Sequence, residues 1–138
     1  MQAFIRISQR ETIRIRADIV QPDVVVVLDP GLLRIVKVTS GLKEKGLLII
    51  NTRKPLQEIG AEIGTKWPIA TVNATKIARE VLGVPIVNTT MLGALVKATG
   101  VVKLESLIEP LQHRFERLAE RNIDAMKRAY EETLVKEQ

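Results

Sequence analysis

Val24-Val25-Val26-Val27-Leu28-Asp29-Pro30 is five apolar residues in a row, stopped by an acid and a proline. A run this short, apolar at every position and rich in β-branched side chains, reads as a strand buried on both faces, as in a parallel sheet. Three more stretches follow the same plan. Leu47 to Ile50 stops at Asn51-Thr52, Ile69 to Val72 at Asn73-Ala74-Thr75, and Val84 to Val87 at Asn88-Thr89-Thr90. In an open α/β sheet, ligands and partners dock beyond the carboxyl ends of the strands. Asp, Asn and Thr are also the preferred N-caps of helices that follow strands. The cap reading leads at Asp29, Asn51 and Asn73, and the two readings are nearly level at Asn88.

Between these runs the pattern turns helical. Gly31 to Val38 holds a short helix or turn after Pro30. Leu56 to Ile63 is a helix after Pro55. Thr75 caps Lys76 to Leu82, which Gly83 closes. Asn88 or Thr89 opens Met91 to Ala98, closed by Gly100. Leu104 to Phe115 is a further helix. The last runs from Arg117 to Val135, with Ala119, Ile123, Met126, Tyr130 and Leu134 at three- and four-residue steps along one face. The N-terminus differs. Phe4-Ile5-Arg6-Ile7-Ser8 and Thr12-Ile13-Arg14-Ile15-Arg16 alternate apolar and polar residues, the period of a half-exposed strand. Gln9-Arg10-Glu11 joins them at hairpin length. The expectation is an antiparallel hairpin with Ile5, Ile7, Ile13 and Ile15 buried and Arg6, Arg14 and Arg16 on a solvated face. The fold class is therefore α/β: an open, mostly parallel sheet with helices on both faces and an N-terminal antiparallel hairpin, in one domain over residues 1–138.

Composition removes several functions. The 138 residues carry 21 Lys and Arg against 16 Asp and Glu, a net charge of +5, but no Lys/Arg block. Aromatic residues are confined to Phe4, Trp67, Phe115 and Tyr130. A nucleic-acid reader needs a basic stripe or stacking aromatics, so none is expected as a partner. With no cysteine there is no disulfide framework and no thiolate to hold zinc or an iron–sulfur cluster. No apolar run reaches membrane-spanning length and the first residues do not open a signal peptide, so the chain reads as cytoplasmic. The lack of Cys beside many Ile, Val, Glu, Lys and Arg is compatible with a thermophile. No catalytic or metal-binding residue is assigned. The single His113 lies on a charged helix between Gln112 and Arg114, where a solvated role is expected. A Gly-rich phosphate loop, a nucleophile elbow and a second histidine are all missing from the sequence.

Several stretches in order resemble one family. Gln21 to Pro30, Asn51-Thr52, Asn73 to Ala78, and above all Pro85-Ile86-Val87-Asn88-Thr89-Thr90-Met91-Leu92-Gly93-Ala94-Leu95-Val96-Lys97-Ala98-Thr99-Gly100 look like the gamma subunit of the 2-oxoacid:ferredoxin oxidoreductases. Leu104 to Leu107, Ala119 to Asn122 and Ala129 to Glu131 fit as well. The likeness runs from about Ala3 to about Glu132 and is strongest to the pyruvate and branched-chain 2-oxoacid members. Members usually open with a glycine-rich segment, which this sequence is expected to lack. The resemblance implies a reaction carried by an assembly. Pyruvate or another 2-oxoacid is decarboxylated on thiamine diphosphate, electrons leave through iron–sulfur clusters to ferredoxin, and the acyl group passes to coenzyme A. Alpha, beta and delta-type subunits are the implied partners, with ferredoxin met through the assembly. This chain alone is expected to bind no cofactor, while the assembly implies thiamine diphosphate, Mg2+ and iron–sulfur clusters. The isolated chain is expected to be inactive. Its implied part is to complete the assembly and its substrate and coenzyme A cleft, with Asn88 and Thr89 as the candidate site residues. The rival reading is a stand-alone Rossmann-like module that binds a nucleotide or anion at the strand ends.

Overall fold

The computed structural model describes residues 2–64 and 67–136. Three of the four apolar runs are strands: β1 (Val24–Val27), β2 (Leu47–Asn51) and β3 (Ile69–Val72). They are parallel and lie side by side, with Val25 opposite Leu48 and Ile49 opposite Ala70. The two-residue period of a strand sends alternate side chains to opposite faces. Leu48, Ile50 and Ile69 pack on one side with Val27 and with Ile59 of α2 (Leu56–Ile63). Leu33 of the short α1 (Leu32–Ile35) joins this layer. Ile49, Ala70 and Val72 face the other way. There they meet Ile77 of α3 (Ala74–Leu82), Met91 and Ala94 of α4 (Asn88–Thr99), and Ala125 and Ala129 of α6 (Ala119–Glu132). Both faces of β2 and β3 are thus covered, as strands without a polar face require, whereas β1 lies at the sheet edge and is only partly buried, with Val26 37% exposed, against the expectation of burial on both faces. A 3-10 turn (Leu104–Leu107) leads into α5 (Ile108–Phe115), which packs its Leu111 against Ile123 and Met126 of α6.

The α4–α6 contact is close because one position has no side chain. A Cβ built on Gly93 would stand 2.0 Å from the carbonyl oxygen of Met126 and 2.9 Å from the backbone nitrogen of Tyr130. Gly93 therefore lets the two helix backbones meet, and Ala94, Ala125 and Ala129 keep the seam narrow.

Three expectations are corrected. Val84 to Val87 forms no strand; it is the link between α3 and α4, with Val84 and Ile86 exposed. Pro85 offers no N–H to a sheet, and the few residues between two helices that pack on the same face leave no span for a crossing strand. The fourth strand is instead β4 (Leu134–Lys136), antiparallel to β3 with Val135 opposite Ala70. The expected helix to Val135 therefore ends at Glu132. Thr133 turns extended there (φ −67°, ψ 128°) and its hydroxyl donates to the carbonyl of Ala129 at 2.6 Å. Pairing with the open edge of β3 outweighs one more helical turn for the β-branched Thr133 and Val135. At the other end the helix starts later than Arg117, because Glu116–Leu118 is a 3-10 turn.

The N-terminal hairpin is the third correction. Its turn exists: the Ser8 hydroxyl accepts from the backbone N–H of Arg10 (3.3 Å) and Glu11 (3.1 Å). Across it, the Arg6 guanidinium donates to the carbonyl of Ala17 at 3.1 Å. Yet residues 2–18 include no strand, and Ile5, Ile7, Ile13 and Ile15 are 69, 58, 45 and 63% exposed. A two-stranded ribbon is marginal by itself, and the core offers the isoleucine face nothing to pack against. The body of the fold is anchored from Val20 onward. There the Pro22 carbonyl accepts from Lys43 (3.0 Å) and the Asp23 carbonyl from Leu47 (3.0 Å).

Candidate functional site

The polar residues at the strand ends are taken up by the backbone. Asn51, at the end of β2, is 2% exposed. Its amide nitrogen donates to the Leu28 carbonyl and to the Thr75 hydroxyl, both at 2.9 Å. Its amide oxygen accepts from the backbone N–H of Ala74 (2.9 Å) and Thr75 (3.3 Å). Both donors and both lone pairs are engaged. One side chain thereby joins the ends of β1 and β2 to the start of α3. Asn51 caps the helix after the neighbouring strand, not the helix after its own, which opens at Pro55. Asn73 caps α3 as expected, accepting from Lys76 N–H at 3.1 Å. Thr75 lies inside that helix and serves Asn51 instead. Asp29 accepts from Gly31 N–H (2.9 Å) and Thr52 from Lys54 N–H (3.1 Å), each closing a local turn.

Asn88 and Thr89 open α4. Asn88 is exposed and its side-chain oxygen accepts from the N–H of Thr89 at 2.9 Å. Thr89 is buried. Val87 occupies the cap position and supplies no side-chain acceptor. Among the described residues no side-chain hydrogen bond joins this pair to the Asn51 cluster. The fold thus brings Leu28, Asn51, Ala74 and Thr75 together and leaves Asn88 and Thr89 as a separate polar corner. Thr90 was passed over in choosing between its neighbours. It is fully buried, and its hydroxyl has no hydrogen-bond partner among the described residues. The spacing Thr90, Gly93, Ala94 places it on the face that meets α6, and that i, i+3, i+4 pattern was the available signal.

The sequence profile of pyruvate ferredoxin/flavodoxin oxidoreductases matches residues 1–132. The chain belongs to this family. It is 50% identical over 135 residues to the common subunit gamma of the pyruvate/ketoisovalerate oxidoreductases of Pyrococcus furiosus, covering 96% of this chain and 72% of that one. It is 44% identical over 132 residues to the pyruvate synthase subunit PorC of Methanothermobacter marburgensis, covering 95% and 71%. Among solved structures, the pyruvate oxidoreductase subunit PORC of Thermotoga maritima superposes with a TM-score of 0.78 at 38% identity, over 86% of this chain and 67% of that one. The mostly parallel sheet with helices on both faces is therefore the fold of a known oxidoreductase subunit.

Within this family the donor set decides what the chain can hold. Iron–sulfur clusters need thiolates, and the chain has no cysteine. The magnesium that accompanies a diphosphate needs oxygen donors gathered at one point. Among the described residues no three His, Asp or Glu side chains are so gathered. His113 sits exposed at 3.8 Å from Glu109 on the same helix. Without a thiolate, the residues present do not fit an iron–sulfur cluster. An open depression of about 320 Å3 is lined by Val96, Gly100, Lys103, Leu104, Glu105 and Tyr130. It lies at the far end of α4 from Asn88, about 18 Å away along a twelve-residue helix. One cation and one carboxylate on an apolar wall give it no charge preference. No helix among the described residues is long and apolar enough to cross a membrane.

Proposed function

We propose that the chain is the gamma subunit of a 2-oxoacid:ferredoxin oxidoreductase and works only inside that assembly. The observation that carries this reading is the family match over residues 1–132, supported by the 38% identical PORC structure. The reaction is the coenzyme A-dependent oxidative decarboxylation of pyruvate, with ferredoxin as electron acceptor. Alpha, beta and delta-type subunits are the proposed partners, and they hold the thiamine diphosphate, Mg2+ and the iron–sulfur clusters, for which this chain has no thiolate. Residues 1–138 act as one domain. Isolating the tagged chain from its native host tests this directly. The assembly that comes with it should contain thiamine diphosphate and iron and should reduce ferredoxin with pyruvate and coenzyme A. Isolation of the chain alone, or with subunits of another enzyme, would contradict it.

The finer part of the proposal concerns Asn88 and Thr89 as one wall of the substrate and coenzyme A cleft. Support comes from the exposed Asn88 side chain beside the amide end of a twelve-residue helix, where a carboxylate or phosphate is favoured. Because Asn88 also accepts from Thr89 N–H, Asn88→Ala is read on two axes. A purely capping residue would lose about 0.5–2 kcal/mol of stability and leave kinetics alone. The cleft reading expects a raised KM for coenzyme A in the reconstituted assembly with a nearly unchanged melting temperature. Lower stability with unchanged KM would remove Asn88 from the site.

A further inference from the structure

The joint between α5 and α6 is the strained point of the chain. Glu116 closes α5 at φ 49°, ψ −112°, and is the one residue other than glycine with a positive φ among the described residues. Those angles belong to the first central position of a II′ turn, where a Cβ is crowded and glycine is the usual occupant. The helices α2, α3 and α4 also end at a positive φ, and each uses a glycine there: Gly64, Gly83 and Gly100. The Glu116 side chain is exposed, and among the described residues its carboxylate makes no ion pair. Backbone strain of this kind clusters where a structure moves or switches.

The segment that Glu116 terminates begins at Gly100, at φ 64°. Between these joints lie the 3-10 turn and α5, and their hold on the molecule is slight. Leu111 is the one buried residue of 101–115. It packs with Ile123 and Met126 in a cluster separate from the two on the sheet. Among the described residues no side-chain hydrogen bond or ion pair joins 102–115 to the rest of the molecule. The contact of His113 with Glu109 stays within α5. The seat is also incomplete. The depression of about 320 Å3 lies where the segment meets the body, with Val96, Gly100 and Tyr130 on one side and Leu104 and Glu105 on the other. Two positive-φ joints, a single buried anchor and a gap beneath are the parts of a hinged element of low local stability.

We propose that residues 101–115 form a flap that lifts as one unit from α4 and α6, with Gly100 as its free joint and Glu116 as its strained one. Closed, the flap covers Ile123 and Met126 and holds Glu116 at the strained angles. Open, it releases that strain and bares the apolar strip of α6 with the floor of the depression. The strain at Glu116 thus sets how often the flap opens. This device belongs to the chain itself and does not depend on the subunit reading above.

Native-state hydrogen exchange on the full chain tests it, with amides 92–96 of α4 and 123–129 of α6 as the internal reference. An eight-residue helix is marginal by itself, so lifting α5 exposes its amides. Amides 112–115 should exchange together, at least about a hundredfold faster than the reference. Glu116→Gly should slow them about tenfold, because glycine accepts the closed angles without strain. Glu116→Val should speed them about tenfold, because a β-branched residue is strained further at positive φ. Asn51→Ala weakens the body, which stays folded when the flap opens, so it should speed the reference and leave 112–115 unchanged. The chain has no cysteine, so Ile123→Cys sets a single thiol beneath the flap. Its labelling should follow amides 112–115 and slow about tenfold when Glu116→Gly is added. Exchange of 112–115 at the reference rate would overturn the flap. So would rates graded along α5, which is fraying from one end. Faster exchange in Glu116→Gly would overturn it as well, since the angles at Glu116 would then carry no strain.

Discussion

Asn51 is the residue on which the strand ends depend. Asn51→Ala would leave the N–H of Ala74 and the carbonyl of Leu28 without their side-chain partner. Unmet buried groups of this kind cost about 1–3 kcal/mol each, so a loss of about 2–4 kcal/mol is expected in urea unfolding. A loss under about 0.5 kcal/mol, the scale of an ordinary surface change, would contradict the hub. Gly93 gives a second expectation. Its missing Cβ would meet the Met126 carbonyl, so Gly93→Ala must part α4 from α6. The cost should be about 1–3 kcal/mol or more. Gly83 has a positive φ of 78° and open space where its Cβ would stand, so Gly83→Ala should cost only about 1 kcal/mol of backbone strain. The reverse order of the two glycines would be inconsistent with the packing described. At this scale the sequence was legible only in part. The polar residue type at each strand end was evident, and Asn73 caps the helix it precedes. Asn51 could not be assigned, because its partners lie more than twenty residues away on both sides.

Elements were read best where burial dictates the pattern. Three all-apolar runs became parallel strands, β2 and β3 buried on both faces and β1 at the edge with Val26 exposed. Val84 to Val87 has the same composition but lies between two helices on one face, and Pro85 withholds a donor. β4 was hidden because Leu134 continues the helical spacing of Tyr130, while its reason for being a strand, the open edge of β3, is not local. Removing residues 134–138 should bare that edge. Exchange at Ile69, Ala70 and Thr71 should then accelerate about tenfold or more, with a greater tendency to associate. Unchanged protection there would mean that β4 contributes nothing to the sheet. Between helices, Arg128 of α6 pairs with Glu132 on its own helix and with Glu80 of α3. Donating a hydrogen bond to Glu132, then to Glu80, raises the guanidinium pKa above its ordinary value. A raised pKa in the folded state stabilises the fold at every pH below the unfolded value and is lost only in strong alkali. Near neutrality the contribution is therefore flat in pH. Arg128→Ala should cost about 0.5–1 kcal/mol at low salt and less at high salt, because the pair is partly exposed.

At the scale of the whole molecule, the chain is a covered sheet carrying an uncovered arm. The sheet carries an apolar core on each face. The arm leaves Ile5, Ile7, Ile13 and Ile15 exposed, and among the described residues its arginines pair with no carboxylate. The fold class and the family were legible because they rest on long-range periodicity and on several motifs in order. The state of the arm was not, because alternation says which face is apolar but not what covers it. The same division applies to function. The chain belongs to a family whose similar members are subunits of pyruvate oxidoreductases, so its part is proposed to be played with other subunits. The most direct measurement is ferredoxin reduction by pyruvate and coenzyme A in an assembly reconstituted from all subunits, with and without this chain. The account predicts activity with the chain, loss of at least about 90% of it without, and none from the chain alone. Full activity in its absence, or turnover by the isolated chain, would contradict it.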